Sequence, residues 1–148
     1  MKLSKLIIVC ICFPFLLMNT TCDDNDDDFA PAECDQQAVI DDVFFDTAVS
    51  ADYALVGYSV DGDCLTIEIS ASGCDGGTWS MVLVDSGDVA ESSPEQRYLK
   101  FIFTNNEACL AVFSQSRSFD LSNLRVGGSN EIILNIEEFP EPINYTYP

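Results

Sequence analysis

The chain has 148 residues, with 25 acidic and 6 basic side chains, no histidine and seven cysteines. That length makes one domain at most. The charge excludes a nucleic-acid binder, because neutralising phosphates takes Lys and Arg. The missing histidine excludes Ser-His-Asp and Cys-His catalysis and any histidine metal ligand.

The chain opens with Lys2 and Lys5, followed by an apolar block at residues 6–18, "LIIVCICFPFLLM". The block is shorter than the roughly 20 residues a spanning helix needs, and Pro14 interrupts it. It fits the apolar core of a secretory leader, with a transmembrane anchor as the alternative. Loss of the leader removes both lysines and no acid, leaving 25 negative charges against 4 positive, an excess of 21. Such a surface repels anionic lipid headgroups and favours a cationic soluble partner. Solubility alone is the competing explanation.

The junction reads "LLMNTTC" and then "DDNDDD". It resembles the cleavage region of bacterial lipoproteins, where a type II signal peptidase cuts before a cysteine that becomes lipidated. The resemblance makes Cys22 the lipid attachment point and residues 1–21 the leader. The acidic run resembles the surface-export signal of Bacteroidota lipoproteins, which implies an outer-membrane protein facing the cell exterior. Two acyl chains hold a protein stably where one does not. Asp23, Asp24, Asp26, Asp27 and Asp28 repel one another and extend the chain as a tether. Calcium binding is the other reading, but the run lacks the glycine turn and distal glutamate of a calcium loop. Ordinary signal cleavage would instead leave Cys22 as a thiol. The expected division is leader 1–21, tether 22–37 and folded domain 38–148.

From residue 38 the sequence falls into short apolar, β-branched runs broken by Gly, Asn, Asp, Ser and Pro, the pattern of an all-β domain. A first strand is expected at residues 43–47. Next comes a hairpin over residues 53–70, "YALVGYSVDGDCLTIEIS". With Asp61-Gly62 as its two-residue turn, Tyr58 opposes Leu65, Val56 opposes Ile67 and Ala54 opposes Ile69, all on the core face. A strand at 78–84 carries Trp79, Met81 and Leu83 inward. Residues 85–96 read as a long polar loop. A second hairpin is expected over residues 97–116, turning near Asn105-Asn106. Its core face would hold Leu99, Phe101, Phe103, Leu110 and Val112, leaving Tyr98 and Phe113 together on the other face. "FDLSNL" at 119–124 reads as a strand end entering a short helical or irregular link. Strands at 131–136 and 143–147 complete about eight. The expected fold is an antiparallel β-sandwich, immunoglobulin-like or related, with a closed barrel as its rival.

Cys10 and Cys12 leave with the leader. Cys34, Cys64, Cys74 and Cys109 form an even set in an exported chain, which indicates two disulfides. A zinc site would need closer cysteine spacing. Four cysteines allow three pairings. We favour Cys74 with Cys109, tying a loop to the second hairpin, and Cys34 with Cys64, tying the tether's end to the first.

The layout "DCLTIEISASGC", "NNEACLAVF", "FDLSNL" and "INYTY" resembles small uncharacterised outer-membrane lipoproteins of the Bacteroidota. That resemblance implies fold and location and carries no activity. The residues themselves show no cofactor motif. "GCDGG" lacks the lysine of a phosphate loop. Asp61, Asp63 and Glu68 are candidates for a carboxylate pair, although solvated acids and turn formers explain them as well. Asn144-Tyr145-Thr146 matches a glycosylation acceptor pattern. The expected function is a non-enzymatic binding or accessory domain on a lipid anchor. The alternatives are an inhibitor or immunity protein against a cationic enzyme or toxin, and a small carboxylate hydrolase.

Overall fold

The computed structural model describes residues 33–148. Cys22 and Asp23, Asp24, Asp26, Asp27 and Asp28 lie outside the described residues. In chain order the elements are β1 (Gln36–Gln37), β2 (Val39–Ile40), α1 (Asp42–Thr47), β3 (Ala54–Asp61), β4 (Cys64–Gly73), β5 (Ser80–Ala90), β6 (Glu95–Thr104), β7 (Ala111–Asp120), β8 (Glu131–Ile136) and β9 (Ile143–Thr146). A 3-10 turn, Ser122–Leu124, separates β7 from β8.

The nine strands form two facing sheets, in the orders β1-β7-β4-β3 and β2-β5-β6-β8-β9. The all-β sandwich is therefore present, with mixed sheets in place of purely antiparallel ones. β1 with β7, β2 with β5 and β6 with β8 are parallel pairs. They arise because links that cross from one sheet to the other return strands in the same direction. Alternation builds the core between the sheets. Leu65, Ile67 and Ile69 of β4 and Phe119 of β7 meet Met81 and Leu83 of β5, Leu99, Phe101 and Phe103 of β6, and Ile132 and Leu134 of β8. Trp79 lies inside as expected, edge-on to Phe103 with ring centroids 5.1 Å apart.

The first hairpin forms in a displaced register. Asp61 pairs with Cys64, so the loop residues are Gly62 and Asp63 rather than Asp61 and Gly62. Gly62 has φ +56° at the first central position, where a type II′ turn takes glycine. Tyr58 then opposes Ile67 instead of Leu65. This slip of two residues keeps every side chain on its expected face. The ladder slips again between Leu55 and Gly57, and a one-residue bulge exchanges the faces beyond it. Leu55 therefore packs on the core, Ala54 is exposed, and Val56 is 53% exposed. Ala54 and Val56 do not line the core as expected.

The second hairpin does not form. β6 lies between β5 and β8, whereas β7 lies beside β4 in the other sheet. Residues 85–96 are mostly strand: β5 runs to Ala90 past an irregularity between Asp85 and Val89, and β6 begins at Glu95. The sequence-adjacent hairpin is thus β5–β6, and β7 is left to cover β4 in a ten-residue ladder. Leu110 and Val112, expected in the core, are 91% and 71% exposed, and Phe113 packs inward instead. Residues 43–47, expected as a strand, belong to α1. The Asp41 carboxylate caps this helix by accepting the Phe44 N–H at 2.8 Å, and Asp42 stands in its first turn. Both favour a helix start over the β preference of Val43.

The disulfides pair Cys34 with Cys64 and Cys74 with Cys109, closing separations of 30 and 35 residues. Loops of this size make each crosslink worth about 2–4 kcal/mol. One ion pair lies inside the five-stranded sheet. Asp85 is fully enclosed and Arg97 is 8% exposed. Arg97 Nη1 donates to Asp85 Oδ1 at 2.8 Å, and its Nε donates to the Leu124 carbonyl at 2.7 Å. The Gly87 N–H donates to the same Oδ1, while Oδ2 has no partner. Burial pushes the Asp85 carboxyl up, against the pull of Gly87 and Arg97. Asp85→Ala leaves a buried guanidinium unpaired and is expected to cost about 3–5 kcal/mol. The Asp85→Leu, Arg97→Met double variant should cost less than either Asp85→Ala or Arg97→Ala. Urea-unfolding midpoints check both statements.

Candidate functional site

One groove follows from a difference in strand length. β8 has six residues and β6 has ten, so β8 covers β6 only from Glu95 to Leu99. Beyond that point the segment before β3 takes over. The Ala51 N–H donates to the Phe103 carbonyl at 2.8 Å, and Ser50 Oγ accepts the Phe103 N–H at 3.0 Å. A groove of about 310 Å³ remains between this segment and the end of β8. Asp52, Glu137, Glu138, Tyr53 and Lys100 contribute to its lining. Glu138 has φ +66°, a left-handed turn just past β8. Burial, with Glu138 adding to it, pushes the Tyr53 hydroxyl up. Lys100 is held in place: Nζ donates to the Phe45 carbonyl at 2.8 Å, lies 4.5 Å from the Phe45 ring centroid and 3.7 Å from Glu137. The groove thus offers three carboxylates, with its one lysine already occupied. Chemically it suits a cationic side chain.

The other cations are engaged in the same way. Arg125 Nη2 donates to both Asp63 oxygens, at 2.6 and 2.7 Å, and Nε donates to the Tyr145 hydroxyl at 3.1 Å. The Tyr145 hydroxyl donates in turn to Asp63. Hydrogen bonds from Tyr145 and Arg125 hold the Asp63 carboxyl below its ordinary range. Burial pushes Tyr145 up to about 12, with Asp63 adding to the rise and Arg125 opposing it. This trio clamps the β3–β4 turn of one sheet to β9 of the other. Arg117 lies close enough to Asp35 to favour its charged form, after the larger effect of the Ser118 N–H and hydroxyl.

A further carboxylate organises the loop after β4. Glu107 Oε2 accepts the N–H groups of Cys74, Asp75 and Gly76 at 2.5, 3.2 and 3.1 Å. Its Oε1 accepts the Thr78 N–H and hydroxyl at 3.3 and 3.0 Å. Gly76 has φ +72°, which lets successive N–H groups converge on one anion. "GCDGG" is therefore an anion nest, filled by the protein's own Glu107. Burial resists ionisation of Glu107, but the Gly76, Cys74 and Thr78 donors prevail and hold its pKa at about 2.

Of the residues singled out from sequence, Cys34, Cys64, Cys74 and Cys109 form the two disulfides. Asp63 belongs to the clamp, and Glu68 stands exposed on the outer face of β4. Tyr98 does not join Phe113. It lines a shallow depression with Phe45 and Asn135 on the outer face of the five-stranded sheet. Sequence reasoning missed Asp85, Arg97, Glu107 and Arg125. A buried acid within a strand run, "MVLVD", was the available signal for Asp85. The others act over separations of 12 residues or more in sequence and left none. Among the described residues no group of three or more His, Cys, Asp or Glu could hold a metal ion, and no helix is long and apolar enough to cross a membrane.

No protein-family profile and no curated protein matches the sequence. Solved structures share the fold. A protein of unknown function, DUF1344, from Bacteroides vulgatus is similar with a TM-score of 0.52 and 15% identity, over 76% of this chain and 57% of its own. A putative toxin-related protein from Parabacteroides distasonis gives 0.53 and 13%, over 76% and 60%. A NigD-like immunity protein from Bacteroides caccae gives 0.52 and 10%, over 74% and 59%. This chain thus spans less than two thirds of the length of each. All three come from the Bacteroidota, in agreement with the bacterial group that the sequence resembles.

The Glu107 nest has a defined pH signature. Its folded pKa lies below the ordinary 4.5. Its contribution is therefore complete above pH 4.5 and is lost as pH falls through about 2. Amide protection at Asp75, Gly76 and Thr78 should persist at pH 4 and fade toward pH 2. Glu107→Ala should lower it about tenfold or more at pH 4 and much less toward pH 2, read by hydrogen exchange.

Proposed function

We propose that this protein is a lipid-anchored, non-enzymatic binding domain of the outer membrane, facing outward, whose partner is a cationic protein. One observation carries the partner class. Three of the four cations in residues 33–148 are ion-paired with an acid of their own fold, Arg97 with Asp85, Arg125 with Asp63 and Lys100 with Glu137, and the fourth, Arg117, is near enough to Asp35 to favour its charged form. Among the remaining described carboxylates, Glu107 and Asp41 are met by backbone N–H groups and the others have no cation beside them, and such a field steers and selects positive partners. Cys22 is the lipid attachment in this reading, with the aspartates after it as tether and export signal. Asp85 has the raised pKa that a catalytic acid would need, but it is enclosed and held by Arg97. This favours binding over carboxylate hydrolysis.

A second reading narrows the first to an inhibitor or immunity protein against a cationic enzyme or toxin. One structural neighbour is described as a NigD-like immunity protein and another as toxin-related, which motivates it for this chain.

Two measurements test these readings. Protein extracted from membranes should begin at Cys22 with acyl mass on it; an unmodified N-terminus there ends the anchor proposal. A panel of basic secreted proteins, a lysozyme among them, should contain a binder that persists at about 0.15 M salt. The Asp52→Asn, Glu137→Gln, Glu138→Gln variant should bind it about tenfold more weakly. Binding lost entirely at that ionic strength indicates unspecific attraction.

A further inference from the structure

Two sheets have four outer edges, and three of these are guarded. β2 covers β5 at Val84 and Asp85, and Gln36 Nε2 donates to the Met81 carbonyl at 2.5 Å. β3 carries its bulge at Val56. β9 has four residues, between Pro142 and Pro148. Bulges, short strands and prolines are the means by which edges avoid pairing with other chains. Among the described residues β7 has none of them. Its ten residues run against β4 in unbroken register, and β1 covers only Phe119 and Asp120.

The groups that β7 offers follow from two hydrogen bonds. The Ser118 N–H points away from β4 and donates to Asp35 Oδ2 at 2.8 Å. The Asp120 carbonyl points the same way and accepts the Ala38 N–H at 3.0 Å. At the two-residue period of a strand, the N–H and C=O groups of Ser116, Ser114 and Val112 also point outward. All three residues are exposed, and no other described strand pairs there. Asp35 meets the outward Ser118 N–H with its carboxylate, so the edge accepts an acceptor from outside the sheet.

Charge indicates the occupant. Residues 111–116 carry no charge, and acids flank them. Asp35 and Asp120 stand at one end, Glu107 and Asp75 at the other, and Glu68 is directly across from Ser116 on β4. A second copy laid antiparallel would set Asp35 and Asp120 of one against Glu107 and Asp75 of the other. A strand bearing Lys or Arg meets these five acids against one cation, Arg117, which lies beside Asp35.

We propose that the free edge of β7, from Val112 to Ser116, takes an extended lysine- or arginine-bearing segment of the partner as an added strand. This rests on the cationic-partner reading above. Main-chain hydrogen bonds at Val112, Ser114 and Ser116 supply the pairing, and the flanking acids select the sign of the partner's charge. Val112 and Leu110, left out of the core, give apolar contact beside it.

The probe is a synthetic peptide of alternating lysine and valine, about seven residues long, with a glutamate–valine peptide as its counterpart. At about 1 mM peptide and 0.15 M salt, the lysine peptide should slow amide exchange at Val112, Ser114 and Ser116 about tenfold. Phe113 and Gln115, whose amides face β4, should not change. Ser114→Pro removes one outward N–H without touching the β4 ladder and should abolish the protection, with its thermal unfolding confirming the fold. Ser114→Lys, which keeps the N–H and adds an edge guard, gives the same reading should the proline variant fail to fold. No protection with the lysine peptide overturns the proposal. So does equal protection by the glutamate peptide, or protection that grows with protein concentration alone, which would assign the edge to a second copy. Basic proteins bound equally by Ser114→Pro and the unaltered protein overturn strand addition alone. Basic proteins bound equally by the triple acid-to-amide variant overturn the reading beneath it.

Discussion

Scarcity of positive charge shapes this domain. Twenty carboxylates and four cations share residues 33–148, and each cation lies where separate parts of the fold meet. Arg97 joins β5, β6 and the link leaving β7, through Asp85 and the Leu124 carbonyl. Arg125 joins the β3–β4 turn to β9 through Asp63 and Tyr145. Lys100 fixes α1 over the sheet through Phe45, and Arg117 lies beside Asp35 at the entry to β1. Away from bulk water such pairs attract more strongly than exposed ones. The Arg97–Asp85 junction is therefore held from inside, while Arg125, Lys100 and Arg117 act at the partly exposed surface beside acids of their own.

The disulfides act where no cation is available. Cys34–Cys64 joins the segment ahead of β1 to the start of β4, and Cys74–Cys109 joins the loop after β4 to the link between sheets. Glu107 reinforces the second crosslink by filling the nest two residues before Cys109. A carboxylate that would otherwise add to surface repulsion becomes an organiser, because backbone N–H groups supply the partial positive charge that side chains do not. The same logic governs Asp41 at the start of α1 and Asp35 at the edge of β7.

Unequal strand lengths produce the surface features that suggest function. β6 outruns β8, and the uncovered length becomes an acidic groove. β7 outruns β1, and the uncovered length becomes an unguarded edge. Both features present main-chain groups or carboxylates with no free cation beside them. Both are the local counterparts of the net charge on which the proposal of a positively charged partner rests.

Part of this was legible in sequence. Alternation in "LTIEIS" and in Leu99, Phe101 and Phe103 is set by the period of a strand, so the β class and the inward faces of β4 and β6 needed no tertiary information. The even set of cysteines indicated two bridges for a similar reason: the chemistry is local to the residue type. The charge excess and the lipoprotein-like junction are likewise properties of composition and order. Which strands pair is a property of the whole. "RYLKFIF" and "CLAVFSQS" look like the two arms of one hairpin, yet each is drawn to the sheet whose buried face it completes, and only packing of both sheets distinguishes these outcomes. The turn at Gly62-Asp63 was missed by one residue on each side, and the Val56 bulge altogether, because neither leaves a distinct pattern in the local sequence. The side-chain partners of Asp63 and Asp85 and the donors to Glu107 from the loop after β4 lie 12 to 82 residues away in the chain. Charges become neighbours only after folding, so composition could declare the surface acidic, and tertiary structure alone decided which acids were held and which were left to face solvent.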